Sequence, residues 1–482
     1  MHADWLEWKK AVDRWLDKTF SEGEEHLDVE EPTHPTKIPM TRLAVILGAS
    51  VAGLLAARVL APHFERVVLL ERDSLSDKPA YRGGTAQAQH AHILLWRGLM
   101  GIEQIFPGYN KKLVDAGGVM LNATGDWYSL FPRGAFPKFE SDIEFLCASR
   151  PLIEHTLRTT LLDQYRNVVI RDNCSVTGIA LSAQSSPQVT FLPDGEKTRH
   201  ENSVADLVVD ATGRNSRTPH WLQQQGFGEV RETLIKPYLG YATRLYKNVT
   251  MPPGVRATFI LAKDPDMTRG GVLFPIENDQ YICTLYGFSR DHPPTSEAGF
   301  LDFAKSLRSD IIYRGIVHAD PQTPAKAFVK NESVYRHYAE KGAWPRGFLI
   351  TGDAVSSFNP IYGQGMTAAL LAAEVLAKNI QHGSLASAAG AKNVQRKIVR
   401  AYRAAWTMST NEDLRWPATE GSKAGFALRS MHRYSNWIGS AATRDQRVAY
   451  TYIKVLHMSA TPTALLTPWM FARILKSGFG KT

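Results

Sequence analysis

The alternation of apolar and polar runs divides residues 42–72 into a strand, a turn, a helix and a second strand. The apolar run Leu43–Leu47 predicts a buried strand, which ends in the glycine-containing turn 48–53. The apolar stretch 54–60 predicts a helix, and the run 67–70 predicts the second strand. The pattern therefore predicts a βαβ unit whose turn lies at the carboxyl end of the first strand.

Elsewhere the pattern changes between helical and strand-like periods. Aromatic and apolar residues repeat at helical spacing over 4–20, and the acidic, proline-containing segment 21–39 predicts a linker. Period-two alternation over 238–290 predicts an antiparallel sheet. Two short buried strands are predicted at Leu207–Asp210 and Phe348–Ile350. Further helices are predicted from about His90, over 148–162, 296–307 and 367–380, and over most of the chain from residue 392.

The composition is that of a globular protein, with 44% hydrophobic and 21% charged residues in a chain of 482. The three cysteines have no CxxC or metal-ligand spacing, which argues against a disulfide framework and a structural zinc site. This usage fits a reducing compartment, so we expect a cytoplasmic protein. His90 and His92 would lie on different faces of the predicted helix, so we expect no metal.

The net charge of +9 is unevenly distributed. Residues 1–41 contain five Lys and Arg against ten Asp and Glu, whereas residues 391–482 contain fifteen against four. The basic region fits nucleic acid, an anionic membrane surface, an acidic carrier protein or simply a solvated helical face. We expect no nucleic-acid partner, and the membrane contact stays open. No signal peptide is evident, and the most apolar window, 455–472, is interrupted by Pro462 and Pro468.

The turn after the first strand has the dinucleotide-binding pattern G-A-S-V-A-G. Gly48 permits the tight turn, and Gly53 permits close packing of helix on strand. Val51 and Ala52 complete the candidate cofactor-binding turn, and the free N–H groups at the N-terminus of the following helix suit a pyrophosphate. Ser50 departs from the pattern, which has a glycine there. Glu71 lies 23 residues after Gly48 and is followed by Arg72, where a carboxylate accepts hydrogen bonds from ribose hydroxyls.

Two later motifs also lie where a strand meets a turn. The first is D-A-T-G-R-N-S-R-T at 210–218, and the second is G-D-A-V-S-S-F-N-P-I-Y-G-Q-G-M at 352–366. In the second, Asp353 can accept a hydrogen bond from a ribityl hydroxyl, and Gly363 and Gly365 permit close backbone approach. The next helix directs its N–H groups at negative charge developing on a reduced flavin. Asn359 and Pro360 would form a fixed wall beside the ring.

The three motifs together resemble the single-component FAD monooxygenases of the para-hydroxybenzoate hydroxylase fold (group A) over about residues 42–460. The chain looks most like the branch that includes the olefin epoxidase of lasalocid-type polyether biosynthesis, and squalene epoxidase is more distantly similar. The stretches that carry this resemblance are QAQHAHILLWRG, CASRPLIEHTLR, LVVDATGRNSR, YATRLY, ITGDAVSSFNPIYGQGMTAA and DLRWP.

The resemblance implies a role for individual residues. Arg150 would contact the FAD phosphates or ribityl chain, Glu71 the adenosine ribose, and residues 360–366, Met366 included, the isoalloxazine. Asp210 and Arg214 match a motif that serves the pyrophosphate and NAD(P)H, although Ala211 stands in the place of its glycine. The remaining implied contacts are Arg82 and Gln89 at the flavin edge, Val176 at the adenine, and Tyr241, Arg244 and Phe274 at the substrate.

The implied fold is α/β with an antiparallel sheet: a Rossmann-like FAD-binding domain of the GR2 type, an inserted β-sheet substrate domain and C-terminal helices. Residues 42–80, 145–220 and 330–380 would form the discontinuous FAD-binding domain. Residues 81–144 and 221–329 would form the substrate domain, and 381–482 the C-terminal helical region. Residues 1–41 would be an amphipathic helix with its acidic linker.

The implied reaction transfers one oxygen atom of O2, through a flavin C4a-hydroperoxide, to an electron-rich carbon of an apolar polyketide- or terpenoid-like molecule. NAD(P)H, or a partner flavin reductase, would supply the electrons. No Tyr, His or Asp constellation in 238–290 stands out as the base that phenol hydroxylation needs, which favours epoxidation. The alternatives are a double-bond reductase of the geranylgeranyl-reductase type, a flavin halogenase, whose W-x-W-x-I-P signature is absent, and a non-catalytic flavoprotein.

Overall fold

The computed structural model describes residues 42–330, 332–380 and 384–477. The predicted helix over 4–20 and its acidic linker lie outside these residues. Among the described residues the strands are, in chain order, β1 Leu43–Leu47, β2 Arg66–Leu70, β3 Ile93–Leu94, β4 Val119–Asn122, β5 Trp127–Phe131, β6 Gly134–Ala135, β7 Glu144–Cys147, β8 Val168–Arg171, β9 Ser175–Ala180, β10 Gln188–Leu192, β11 Glu201–Val204, β12 Leu207–Asp210, β13 Glu232–Ile235, β14 Leu239–Lys247, β15 Ala257–Ile260, β16 Arg269–Ile276, β17 Gln280–Gly287, β18 Asp320–Pro321, β19 Lys326–Lys330, β20 Ser333–Arg336, β21 Phe348–Ile350 and β22 Ser356–Ser357.

The α-helices of the same residues follow the helical periods of the sequence. They are α1 Val51–Leu60, α2 Trp96–Ile105, α3 Tyr109–Asp115, α4 Arg150–Gln164, α5 Thr218–Gln224, α6 Glu297–Lys305, α7 Ile311–Ile316, α8 Gly365–Ile380, α9 Ala388–Asp413, α10 Phe426–Ala442, α11 Gln446–Leu456 and α12 Pro468–Lys476. No helix in this part of the chain is long and apolar enough to cross a membrane.

A parallel sheet in the order β21-β12-β1-β2-β8 forms the centre of the nucleotide-binding fold. Its strands are short apolar runs, as expected for strands covered on both faces. The predicted bounds of β1, β12 and β21 are confirmed, and α1 begins at Val51, three residues earlier than predicted. Helix α8 packs on α1, so the third motif reaches the first even though about 300 residues separate them in the chain.

The second large sheet has the order β18-β14-β17-β16-β15-β5-β6, and β19 also pairs with β14. Its long strands pair antiparallel, as the alternation over 238–290 predicted, whereas β15 and β5 run parallel. One apolar core lies around the parallel sheet. A second apolar core lies between the second large sheet and the C-terminal helices. The chain therefore folds as α/β with an antiparallel sheet, as predicted.

The helix predicted from His90 is wrong at its start. Residues Gly83–Gln89 form a 3₁₀ helix that is kinked at Thr85, residues 90–92 belong to no helix or strand, and α2 begins only at Trp96. The cause is a long-range contact, because Ile93 and Leu94 pair with Cys147 and Leu146 of β7.

Candidate functional site

The turn after β1 requires both of its glycines. Gly48 has φ +97°, and a Cβ there would lie 2.8 Å from the carbonyl oxygen of Ala211. A Cβ on Gly53 would collide with the carbonyl oxygen of Gly48. The first motif therefore packs directly on the second, and Ser50, Val51 and Ala52 at the start of α1 are left facing a cavity.

Ser50, which stands in the place of a glycine, joins this turn to helix α4. Its hydroxyl donates to Glu154 Oε1 at 2.5 Å and accepts from Arg150 Nη2 at 2.9 Å. Arg150 Nε also donates to Glu154 Oε1, at 2.7 Å. Burial alone would raise the pKa of Glu154, but Arg150, Arg82 and the Ser50 hydroxyl outweigh it and lower that pKa to about 2. Ser50 thus holds a charged pair beside the start of α1.

Arg82 lies among three carboxylates instead of in the cavity wall. Its guanidinium is 3.0 Å from Glu71 Oε2, 3.1 Å from Asp73 Oδ2 and 2.9 Å from Glu154 Oε2. Glu71 is buried at the end of β2 and accepts from the backbone N–H of Ala49 at 2.8 Å. Arg82 therefore holds these acids against the turn, and its contact at the flavin edge stays a prediction.

The second motif is organised by its own carboxylate. Asp210 is fully buried and accepts hydrogen bonds from the hydroxyls of Thr212, Ser216 and Thr218. Its oxygens therefore face the loop, not the cavity, and the motif's contribution to the cavity wall is the stretch 211–216, including Arg214.

Arg336 joins the second motif to the third. It donates from Nη2 to the carbonyl oxygen of Arg214 at 2.9 Å and from Nη1 to that of Ala354 at 2.9 Å, and its Nε donates to Glu232 Oε1 at 2.8 Å. The third motif also packs on α1, since a Cβ on Gly352 would lie 2.8 Å from the Cβ of Ala52. All three motifs therefore border one cavity.

A buried hydrogen-bonded pair, Asn359 and Asp413, supports the end of the third motif on the side away from the cavity. Asn359 donates from Nδ2 to Asp413 Oδ1 at 2.7 Å and accepts from the N–H of Ile361 at 3.0 Å. It does not line the cavity, whereas Pro360 and Gly363 do, and Gly363 ends the turn at φ +67°. Asn359 thus acts on the cavity only through the turn that it positions.

The cavity has a volume of about 970 Å³ and two chemically different ends. At one end lie the N-termini of α1 and α4, which the hydrogen bond between Ser50 and Arg150 joins, and the N-terminus of α8 also lines the cavity. None of these helices has an acidic residue in its first turn, and helix N-termini favour anions. The other end is lined by aromatic side chains from the second sheet and its neighbours, namely Trp127, Phe145, Tyr241, Phe274, Tyr286 and Phe328.

Most of the predicted site residues come together around this cavity. Those that line it are Ser50, Val51, Ala52, Arg72, Arg150, Arg214, Tyr241, Phe274, Asp353, Pro360, Gly363, Gly365 and Met366. Those that do not are Gly48, Gly53, Glu71, Arg82, Gln89, Val176, Asp210, Arg244 and Asn359.

For three of the residues that do not line the cavity, the structure gives a simple reason. Arg244 lies on the face of β14 opposite Tyr241, because side chains alternate along a strand, and its Nε donates to the carbonyl oxygen of Thr323. Its predicted substrate contact is therefore wrong. Val176 packs against the first apolar core. Gln89 ends the 3₁₀ helix, so Gln87 and His90 line the cavity instead.

Several residues of the site were not predicted from the sequence. Arg336 and His457 belong to no recognised motif, Glu154 lies in the stretch CASRPLIEHTLR without a predicted role, and His90 was considered only as a metal ligand. No group of three or more His, Cys, Asp or Glu side chains in the described residues is placed to hold a metal ion. The alternation of β17 did mark Thr284 and Tyr286 as neighbours on one face of a strand, and that was the available signal for them.

Comparison with known proteins places the chain among its relatives. No protein-family model matches it. It is 30% identical over 389 residues to Protein Rv3254 of Mycobacterium tuberculosis, an alignment that covers 77% of this chain and 80% of that protein.

Solved structures share the fold at low sequence identity. The p-nitrophenol 4-monooxygenase PnpA of Pseudomonas putida DLL-E4 is 16% identical with a TM-score of 0.60, covering 91% of this chain and 99% of that one. The flavin-dependent halogenase CmlS is 18% identical with a TM-score of 0.60, covering 85% and 74%. A mutant of 2-methyl-3-hydroxypyridine-5-carboxylic acid oxygenase is 17% identical with a TM-score of 0.57, covering 82% and 97%. The chain therefore belongs to the same protein family as Protein Rv3254, and it has the fold of the para-hydroxybenzoate hydroxylase type.

Proposed function

We propose that this protein is an FAD-dependent monooxygenase. The observation that carries the proposal is the lining of one cavity, which includes three helix N-termini and an aromatic chamber. The N-termini of α1 and α4 suit a pyrophosphate, and the aromatic chamber suits an apolar substrate. FAD is the cofactor whose length and chemistry join these two environments, and the fold neighbours include a monooxygenase and an oxygenase.

The residues of the cavity fit FAD. The backbone N–H groups at Ser50 to Ala52 and the Arg150 guanidinium would hold the pyrophosphate, and the exposed carboxylate of Asp353 would accept from the ribityl chain. Pro360, Gly363 and Gly365 line the cavity at the start of α8, and a Cβ on Gly365 would meet open space, which leaves room for a flat ring. When bound, FAD supplies the redox chemistry: it takes electrons from NAD(P)H or a partner reductase and activates O2.

The chain's own groups would bind and orient the cofactor and the substrate, and they would exclude water. The N-terminus of α8 carries a partial positive charge, which stabilises negative charge on the part of the ring beside it. The aromatic chamber presents Phe145, Phe274 and Phe328 to the substrate and keeps water from the place of oxygen transfer. Asn359, held by Asp413, fixes the turn that would lie beside the bound ring.

The substrate class that these walls favour is a largely apolar natural product of polyketide or terpenoid type, oxidised by epoxidation or hydroxylation at an electron-rich carbon. The resemblance of the 352–366 region and the DLRWP stretch to lasalocid-type olefin epoxidases supports epoxidation. An FAD-dependent double-bond reductase is the alternative, because the same chamber would suit an alkene for reduction.

The deciding experiment measures NADPH and NADH oxidation and oxygen uptake by the purified FAD-loaded protein, with alkenes and phenols as test substrates. A monooxygenase consumes oxygen in a substrate-dependent way and places one atom of ¹⁸O2 in the product. Saturation of an alkene under anaerobic conditions would instead establish the reductase.

A further inference from the structure

Three side chains form a buried hydrogen-bonded chain at the aromatic end of the cavity. His90 Nδ1 is 2.7 Å from Thr243 Oγ1, which is 2.7 Å from Thr284 Oγ1. Thr284 Oγ1 also accepts from the backbone N–H of Ala91 at 3.1 Å. His90, Thr243 and Thr284 are 8%, 2% and 5% exposed, so two hydroxyls are buried in a mainly aromatic wall.

The pattern of donors fixes the direction of this chain. Thr284 already accepts from Ala91, and among the described residues its only recorded side-chain partner is Thr243. The Thr284 hydroxyl therefore donates to Thr243, because buried O–H groups are rarely left unpaired. The Thr243 hydroxyl is then left to donate to His90 Nδ1, and the proton of a neutral His90 must lie on Nε2.

His90 is neutral and its Nε2 is available to the cavity. Burial lowers the pKa of His90 to about 4, so the imidazole stays uncharged near neutral pH. Nε2 has no hydrogen-bond partner recorded among the described residues, and His90 lines the cavity beside Tyr241 and Phe328, whose ring centroids are 5.8 and 5.5 Å away. A donor of fixed direction thus sits in an aromatic wall.

We propose that His90 Nε2–H binds an acceptor oxygen of the substrate, and that the site selects a largely apolar molecule carrying a carbonyl or similar oxygen away from the oxidised carbon. Burying the hydroxyls of Thr243 and Thr284 costs desolvation that apolar side chains would not. Orienting His90 is the function that explains their placement. Oxygen transfer to such a molecule rests on the proposed function, whereas its binding does not.

The contribution of His90 was not visible in 238–290 because the histidine comes from outside that segment. Thr243 and Thr284 lie on paired positions of β14 and β17, and the loop after the 3₁₀ helix brings His90 against them. The second sheet therefore supplies the support, and residue 90 supplies the donor.

The experiment compares two ligands of the same shape, 2-acetylnaphthalene and 2-isopropenylnaphthalene, which differ by C=O against C=CH2. Their affinities for the FAD-loaded, oxidised protein are measured by isothermal titration calorimetry without NAD(P)H. We expect the ketone to bind about tenfold more tightly, the size of one neutral hydrogen bond. In His90→Phe the ratio should fall to about one, with the hydrocarbon's affinity retained, and His90→Gln, which keeps an N–H donor, should restore part of the preference.

His457 provides the matched comparison, because it lines the same cavity and its Nδ1 accepts from the backbone N–H of Trp96 at 3.2 Å. His457→Phe should leave the ketone preference unchanged. Equal affinity of the two ligands for the wild-type protein would overturn the proposal, as would a preference that follows His457 instead of His90. These outcomes are separate from a failure of oxygen uptake, which would reject the proposed function and leave the binding result standing.

Discussion

Ser50 provides the sharpest test of how this nucleotide site is built, because sequence pattern and structure predict opposite results. The pattern has glycine at this position, so Ser50→Gly should improve binding of the cofactor. In the structure the Ser50 side chain makes no bond to the start of α1, although it stands at the N-cap position. Its hydroxyl instead joins Glu154 to Arg150, so its removal should weaken the site.

The size of the effect follows from the bonds that are lost. Ser50→Ala removes a hydrogen bond to a largely buried carboxylate and leaves Arg150 Nη2 without that partner. Hydrogen bonds to charged groups contribute about 1.5–3 kcal/mol. Because Arg150 Nε and Arg82 still bind Glu154, we expect the free energy of unfolding to fall by about 2 kcal/mol, in the lower part of that range. The free energy of unfolding of Ser50→Gly should fall by a similar amount, since replacing Ser by Gly at an N-cap itself costs only a few tenths of a kcal/mol.

Urea unfolding of the cofactor-free protein measures this loss, and recovery of flavin fluorescence measures the release of FAD. Ser50→Thr is the matched control, because it keeps the hydroxyl and should stay near the wild type. A double-mutant cycle with Glu154→Gln should show a coupling energy of about 1–2 kcal/mol between the two side chains. Unfolding free energies within about 0.5 kcal/mol of the wild type, the usual range for a surface substitution, would refute the reasoning. Tighter FAD binding by Ser50→Gly would refute it too.

Four further outcomes follow from the structure. Asp353→Ala should yield protein that retains little FAD after gel filtration, and full retention of flavin absorbance would rule out the ribityl contact. The pKa of Glu154 is lowered on folding, so the stability that its charge gives the folded protein is complete above about pH 4.5 and is lost as the pH falls toward 2. In Glu154→Gln the free energy of unfolding should therefore change less with pH across that window, which acid titration can check. Arg336→Met should lower both the free energy of unfolding and the FAD affinity, because the second and third motifs lose the guanidinium that donates to both. An unchanged FAD dissociation constant would show that the two motifs keep their positions without Arg336. If the basic region 391–482 contacts an anionic membrane, sedimentation with phosphatidylserine vesicles should weaken steeply as salt rises from 0.05 to 0.5 M (roughly the screening range), and salt-independent binding would contradict an electrostatic contact.

Short-range pattern was sufficient for the elements of the parallel sheet. Strands β1, β12 and β21 are apolar runs closed by glycine or aspartate turns, so their bounds could be read from adjacent residues. The bounds of the segment after residue 90 could not be read in this way, because its apolar residues fit a helix equally well. The pairing of Ile93 with Cys147 makes this segment a strand, and Cys147 lies more than fifty residues away in the chain.

The same distinction holds for the site. The glycines and Asp353 were predictable because each motif is continuous in the chain. The contacts that connect the motifs were not, since Ser50 and Glu154 are 104 residues apart, Arg336 and Arg214 are 122 apart, and His90 and Thr243 are 153 apart. Arg244 was assigned wrongly for a different reason, because residues 241 and 244 of one strand lie on opposite faces, which the alternation along β14 already implies.

The most direct measurement is the identity and amount of the cofactor released from the purified protein by heat denaturation, determined by liquid chromatography with mass spectrometry. We predict FAD at one molecule per chain, either as purified or after incubation with FAD and gel filtration. A protein that releases only FMN or NAD, or that takes up no flavin at all, would contradict the proposed FAD site and the monooxygenase function that depends on it.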